Sequence, residues 1–218
     1  MSDSKANSST TKRRGRPPKG GMGYTDTREA LIRCGMELLT EQGFINTGLD
    51  QILKKVGVPK GSFYHYFENK EAFGYVVLES YSEYFLYKLD KHLKNPELDA
   101  LDRIQSFITD ATHGVEKYNF KRGCLVGNLA QEFGSSHVFF KQKLEAVFSQ
   151  WQLRIAECLA LAKTEGSISA DADCDALATF FWIGWEGSVM HSKLHQNKQA
   201  MALFSDQFFK LVHTAKTS

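Results

Sequence analysis

At 218 residues the chain has room for one small and one medium domain, and a hydrophobic content of 42% is ordinary for a globular protein. Its longest uncharged apolar run, 176–185, is about half the length of a bilayer span, and its polar opening lacks the apolar core of a secretory leader. A cytoplasmic protein with no membrane partner is therefore expected. The formal charge of +2 conceals an asymmetry: residues 1–23 carry six Lys and Arg against one Asp, whereas the remainder carries 21 against 24.

The basic opening segment comes first in chain order. Residues 1–11 are rich in Ser, Asn and Lys and predict a disordered start. Lys12-Arg13-Arg14-Gly15-Arg16-Pro17-Pro18-Lys19-Gly20-Gly21 then gathers charge around an Arg-Gly-Arg-Pro core, which resembles an AT-hook. An extended Arg-Gly-Arg strand is narrow enough for the minor groove, where A·T-rich sequence strengthens the negative potential. Arg14 and Arg16 are thus candidate DNA contacts; the alternative is a solubilising basic tail.

Next, Asp50 to Val56 places Ile52, Leu53 and Val56 on one helical face. Gly57 supplies a permissive backbone to end that helix, and Pro59 suits the first turn of another. A short helix from Lys60 to Phe67 buries Phe63 with Tyr66 and Phe67 and leaves Lys60, Ser62, Tyr64 and His65 outward. Two short helices joined by a tight Gly-containing turn make a helix-turn-helix, whose second member can read base edges in the major groove. Gly61 permits close backbone approach, Ser62, Tyr64 and His65 can reach bases or phosphates, and Lys60 and Lys70 supply charge for phosphate. Thr47 sits where a helix N-terminus can grip another phosphate.

The stretch from Thr27 to Gly74 contains Gly43-Phe44 and Val58-Pro59-Lys60-Gly61-Ser62-Phe63-Tyr64-His65-Tyr66-Phe67-Glu68-Asn69-Lys70-Glu71. It resembles the DNA-binding domain of the tetracycline-repressor family of bacterial regulators. The resemblance implies an all-α homodimer whose larger C-terminal domain binds a small effector. It assigns DNA contact to Thr47, Lys60, Gly61, Ser62, Tyr64, His65 and Lys70. The implied division is a basic arm at 1–23, a helix-turn-helix domain at 24–70 and a ligand-binding and dimerisation domain at 71–218.

Beyond Phe67 the pattern is helical throughout. Asn69 caps a long helix ending near Asn95-Pro96, and Asp99 starts another that runs towards Tyr118. A shorter helix carries Cys124 to Phe133, a long one spans 136–165, and two more run over 175–194 and 198–214. The last two look like a dimer interface, with Phe180, Phe181, Ile183, Gly184, Gly187, Ser188 and Val189 on one and Met201, Phe204, Phe208, Leu211 and Val212 on the other.

Two segments, Arg122 to Glu132 and Phe181 to Met190, together with the basic arm, resemble the tetracycline-repressor-like proteins that control acrylate utilisation. Related repressors sense reactive electrophiles through a cysteine in a similar Gly-Cys-Leu context. The resemblance offers reversible binding of acrylate, an acryloyl thioester or a related small electrophile or carboxylate, or covalent modification at Cys124. A thiol at a helix N-terminus beside Arg122 is expected to have a lowered pKa. Arg122 and Lys193, with His113 and His191 behind them, are the cationic candidates for a carboxylate effector. Tyr118, Trp151, Trp182 and Trp185 are candidate walls, and Asn128, Gln131 and Glu186 candidate polar contacts.

The rival classes are weaker. Cys124 with His113, Glu132 or Glu186 lacks any spacing that catalysis requires, and no phosphate loop or nucleophile elbow occurs. Cys34, Cys124, Cys158 and Cys174 show no metal-ligand spacing. No enzymatic activity, metal or cofactor is expected. A purely architectural DNA-binding protein leaves the large aromatic domain unexplained.

Overall fold

The computed structural model describes residues 24–134 and 138–214, and these form nine α-helices and no strand. In order they are α1 (Tyr24–Gln42), α2 (Leu49–Val56), α3 (Lys60–Tyr66), α4 (Lys70–Leu93), α5 (Ala100–Lys117), α6 (Leu125–Phe133), α7 (Val138–Thr164), α8 (Cys174–His195) and α9 (Gln199–Thr214). The all-α class is as expected. Arg14 and Arg16, with the rest of the basic segment, lie outside the described residues, as does Ser136 at the expected start of α7.

The local signals act as their chemistry dictates. Asn69 Oδ1 accepts from the Ala72 N–H at 2.7 Å and starts α4, and Asp173 Oδ1 accepts from Ala176 N–H at 3.0 Å to start α8. Gly57 ends α2 at φ +77°, a left-handed conformation that most side chains disfavour, with its N–H on Leu53 O at 2.8 Å. Phe67 is extended (φ −134°), so α3 stops one residue earlier than its pattern suggests.

Phe63, on α3, is fully buried and meets Phe67 and Phe73 with ring centroids 5.2 and 5.3 Å away. Phe73 belongs to α4, so the core beneath the helix-turn-helix is completed by the long helix that follows it. α4 also packs against α5, α6 and α7. In the larger helical bundle, Phe85, Trp151 and Trp182 pack against one another with tilted rings, with Phe107, Phe181 and Trp185 alongside. Rings this close are each worth ~0.5–1.5 kcal/mol beyond their burial.

α1 and α4 approach closely at Gly35. A Cβ there would lie 2.6 Å from Phe73 Cζ and 2.7 Å from Val77 Cγ2. Gly35→Ala therefore forces the two helices apart, and a loss of about 1–3 kcal/mol is expected, read as a lower urea midpoint at unchanged slope.

Candidate DNA-reading helix and effector pocket

The exposed face of α3 is built by what the helix buries. With Phe63 anchored inward, Lys60 and His65 are exposed, Tyr64 is 50% exposed and Ser62 is half-buried. Pro59 occupies the N-cap at φ −72°, one position before the helical turn, and half-buried Val58 fills the corner. Gly61 is exposed, and among the described residues a Cβ on it would meet nothing within 4 Å. The fold itself does not demand a bare backbone there.

Of the seven candidate DNA contacts among the described residues, two face inward. Thr47 is 0% exposed; its hydroxyl donates to Gly43 O at 2.5 Å and accepts from Gln42 Nε2 at 3.2 Å. Its side chain braces the corner between α1 and α2 rather than presenting itself to a phosphate. Lys70 Nζ donates to Phe44 O at 2.7 Å and lies 4.3 Å from the centre of the Phe44 ring, and burial lowers its pKa. It too is committed to that corner, because a partly desolvated ammonium holds any acceptor within reach.

A cavity of about 380 Å³ opens between α1, α4, α5, α8 and the start of α6. Met36, Phe85, Val115, Trp185 and Val189 make its apolar walls, and Tyr81, Cys124 and Glu186 converge at one end. The chain reaches that end through two consecutive left-handed residues, Asn119 (φ +51°) and Phe120 (φ +57°). Phe120 is held by its N–H on Val115 O at 3.0 Å and its carbonyl on Gln196 Nε2 at 3.3 Å. Cys124 then becomes the N-cap of α6, its Sγ accepting from Gly127 N–H at 3.5 Å and from the Tyr81 hydroxyl at 3.9 Å.

The expected lowering of the Cys124 pKa is not what the structure gives. Burial pushes the thiol well up, and the Glu186 carboxylate beside it, which takes the thiol's hydrogen bond, pushes further. Arg122, the cation expected to help, points away from the sulfur. Its Nε meets Glu41 Oε1 at 3.1 Å, a second nitrogen lies 3.7 Å from Glu37, and the guanidinium stacks 3.8 Å over Tyr118. Burial also pushes Tyr81 well above the usual phenol range and raises Glu186 to about 7. Glu186 Oε1 is buried with no hydrogen-bond partner among the described residues.

Of the other candidates, Tyr118, Arg122 and Trp185 line the cavity, whereas Trp151 and Trp182 are core residues whose rings lie 4.9 Å apart. Asn128 Nδ2 donates to Leu39 O at 2.9 Å and to Thr40 O at 3.3 Å. Lys193 Nζ donates to Glu41 O at 2.6 Å and Thr40 O at 3.3 Å, with its pKa lowered by burial. Neither points into the cavity: both cap the C-terminal end of α1. His113 and His191 are exposed and outside its lining.

Glu132, at the far end of α6, accepts from Phe44 N–H at 2.8 Å and Ile45 N–H at 3.3 Å. Sequence reasoning found neither this contact nor the α4 wall formed by Tyr81 and Phe85. The end of α1 carries no basic residue in its last turn, a signal that its carbonyls need donors from elsewhere, which Asn128 and Lys193 supply; nothing local pointed to Glu132 or to the α4 wall.

The expected dimer stripe also divides differently. Phe181, Ser188, Val189, Met201, Phe208 and Val212 are buried within the chain's own bundle, and Gly184 abuts Phe204. Exposed instead are Phe180, Ile183, Met190 and Leu194 on α8 and Leu203 and Leu211 on α9, Ile183 to 69%. The α8 residues follow alternating steps of three and four through Gly187, the spacing of a helix–helix seam.

A family described as "Bacterial regulatory proteins, tetR family" matches residues 31–73, and "Tetracyclin repressor-like, C-terminal domain" matches residues 100–208. The chain is 44% identical over 196 residues to the transcriptional regulator AcuR of Cereibacter sphaeroides, covering 90% of this chain and 89% of that one. It is 38% identical over 107 residues to the transcriptional repressor NemR of Escherichia coli, covering 49% of this chain and 54% of NemR. A solved structure, the regulatory protein TetR from Rhodobacter sphaeroides, superposes with a TM-score of 0.83 at 43% identity, over 86% of this chain and 98% of that one. None of the helices described here is long and apolar enough to cross a membrane.

The raised Glu186 pKa makes stability depend on pH. The folded chain retains a proton that the unfolded chain loses near pH 4.5, so the contribution is fully present below that value and is lost as pH rises through about 7. Glu186→Gln should match the wild type at pH 4.5 and exceed it by about 2–3 kcal/mol at pH 8, measured by urea denaturation across that range.

Proposed function

We propose that this chain, which belongs to the tetracycline-repressor family of bacterial regulators, is a homodimeric repressor released from its operator by a small effector. The observation that carries the reading is α3: a helix of seven residues, anchored by Phe63, whose outward side is Lys60, a dispensable-to-the-fold Gly61, Ser62, Tyr64 and His65. Residues 24–70 act as the DNA-binding domain and 71–218 as the effector and dimerisation domain. Arg14 and Arg16 extend the grip into the adjacent minor groove.

Two copies pair through the exposed α8 and α9 faces, which would otherwise leave Phe180, Ile183, Leu194 and Leu203 in water. A dimer of this kind must hold its recognition helices about 34–36 Å apart, one turn of DNA. The effector occupies the cavity between α1, α4 and α8, and its chemical class is acrylate, an acryloyl thioester or a related small electrophile or carboxylate. Cys124 at the N-cap of α6, Asn128 on its second turn and Glu132 on its last place one helix between the cavity and the corner that supports α3. A shift of α6 or a tilt of α4 then spoils the operator spacing.

A second reading, covalent modification of Cys124, is supported by the position of the thiol in the cavity wall. Burial beside Glu186 opposes it by keeping the sulfur protonated. An unchanged effector response in Cys124→Ser would exclude it.

Fluorescence anisotropy on DNA from upstream of the chain's own gene, with acrylate and acryloyl compounds titrated in, tests the whole reading. Salt-sensitive binding that weakens with effector is expected; binding that no member of this class weakens removes the effector assignment. Gly61→Ala should leave unfolding stability equal or higher by about 0.5–1 kcal/mol, since glycine is a poor helix residue, while operator affinity falls at least about tenfold through the lost close approach. Glu132→Ala separates sensing from output: effector binding measured by calorimetry should persist while the effector-induced loss of DNA affinity shrinks.

A further inference from the structure

The cavity's polar end has a charge problem that bears on what it binds. A small carboxylate needs a cation or several donors, yet two of the three cations that line this cavity, Arg122 and Lys88, are engaged elsewhere. Arg122 is held by Glu41 and Glu37, Lys88 pairs with Asp110 at 2.6 Å, and Lys193 caps α1. Arg33, which also lines the cavity, is solvent-exposed. What the polar end offers is a thiol, a phenol and a carboxyl group, the last with a buried oxygen that no other group among the described residues satisfies.

We propose that Glu186 is the specificity-determining residue of this pocket: its carboxyl group donates a hydrogen bond to the carbonyl oxygen of an uncharged effector, and the same group rejects a free carboxylate. The inference rests on the effector reading above and narrows it to neutral carbonyl compounds such as esters, amides or thioesters. A buried oxygen without a partner is costly, and a ligand that supplies one removes the cost. Burial raises Glu186 to about 7, so a large share of the protein carries the neutral, donating form near neutral pH. A second carboxylate placed against it confronts a like charge in a poorly solvated site when Glu186 is ionised, and it gives up its hydration without a cation at the polar end when Glu186 is neutral.

Volume points the same way. About 380 Å³ lies in the range of pockets that enclose drug-sized ligands. A bare three-carbon acid leaves most of that space without contacts, whereas the substituent on an ester, amide or thioester reaches the apolar walls of Phe85, Val115 and Trp185.

The test is calorimetric titration of the full-length protein with sodium propanoate, methyl propanoate and propanamide, which cannot alkylate Cys124, followed by sodium acrylate and methyl acrylate. Wild-type protein should bind each neutral compound at least about tenfold more tightly than its acid, the factor expected of one buried hydrogen bond. Glu186→Gln, whose amide still donates but carries no charge, should keep the neutral ligands and bring the acids to within about threefold of them. Glu186→Leu should lose the neutral ligands by about tenfold. Equal or tighter binding of the acids by wild type, an unaltered preference in Glu186→Gln, or no binding by any compound would each overturn the proposal. DNA release is measured separately: a neutral-ligand preference without operator release would sink the repressor reading while leaving Glu186 as the selector.

Discussion

The C-terminal end of α1 is the constraint on which much of the rest depends. A helix terminus leaves carbonyls that its own backbone cannot satisfy, and α1 has no basic residue of its own nearby. The partners come from far along the chain. Gly123 N–H bonds Thr40 O at 2.9 Å, Asn128 takes Leu39 and Thr40, and Lys193 takes Thr40 and Glu41. Two residues past the end of α1, Glu132 accepts the Phe44 and Ile45 amides and Lys70 bonds the Phe44 carbonyl. The corner that leads into the helix-turn-helix is thereby held by α4, α6 and α8 as well as by its own neighbours.

Those two helices also form the polar end of the cavity. Cys124 and Asn128 lie one turn apart on α6, and Glu186 and Lys193 lie two turns apart on α8. The helices that line the polar end of the cavity are thus the ones whose side chains grip α1. Each of these contacts to a charged group is worth roughly 1.5–3 kcal/mol net.

Burial explains why the site is chemically quiet. Cys124 and Glu186 are both buried away from water, so both favour their neutral forms. A helix N-terminus and a nearby arginine ordinarily promote a thiolate. Here the arginine is neutralised by Glu37 and Glu41 and desolvation is the larger effect. The same sorting shapes the outer surface, where α8 turns Phe181 and Val189 inward and leaves Phe180 and Ile183 uncovered.

The sequence by itself determined the helices and most of their ends, because those depend on neighbours a few residues apart. Asn69 and Asp173 cap where a short polar side chain can reach the next turn, Gly57 turns where a left-handed backbone is needed, and Phe63 marks the inward face of α3. It also carried the family resemblance, through a contiguous string from Val58 to Glu71. Only the tertiary structure decided which charges are available. Arg122, Asn128, Lys193, Thr47 and Lys70 all read as surface or ligand groups, yet each is bound to an atom from a distant part of the chain or from the next corner. Tyr81 and Glu186, 105 positions apart, became neighbours of one thiol only through packing. Helix caps follow from local reach, but the partner of a long polar side chain follows from where other helices end.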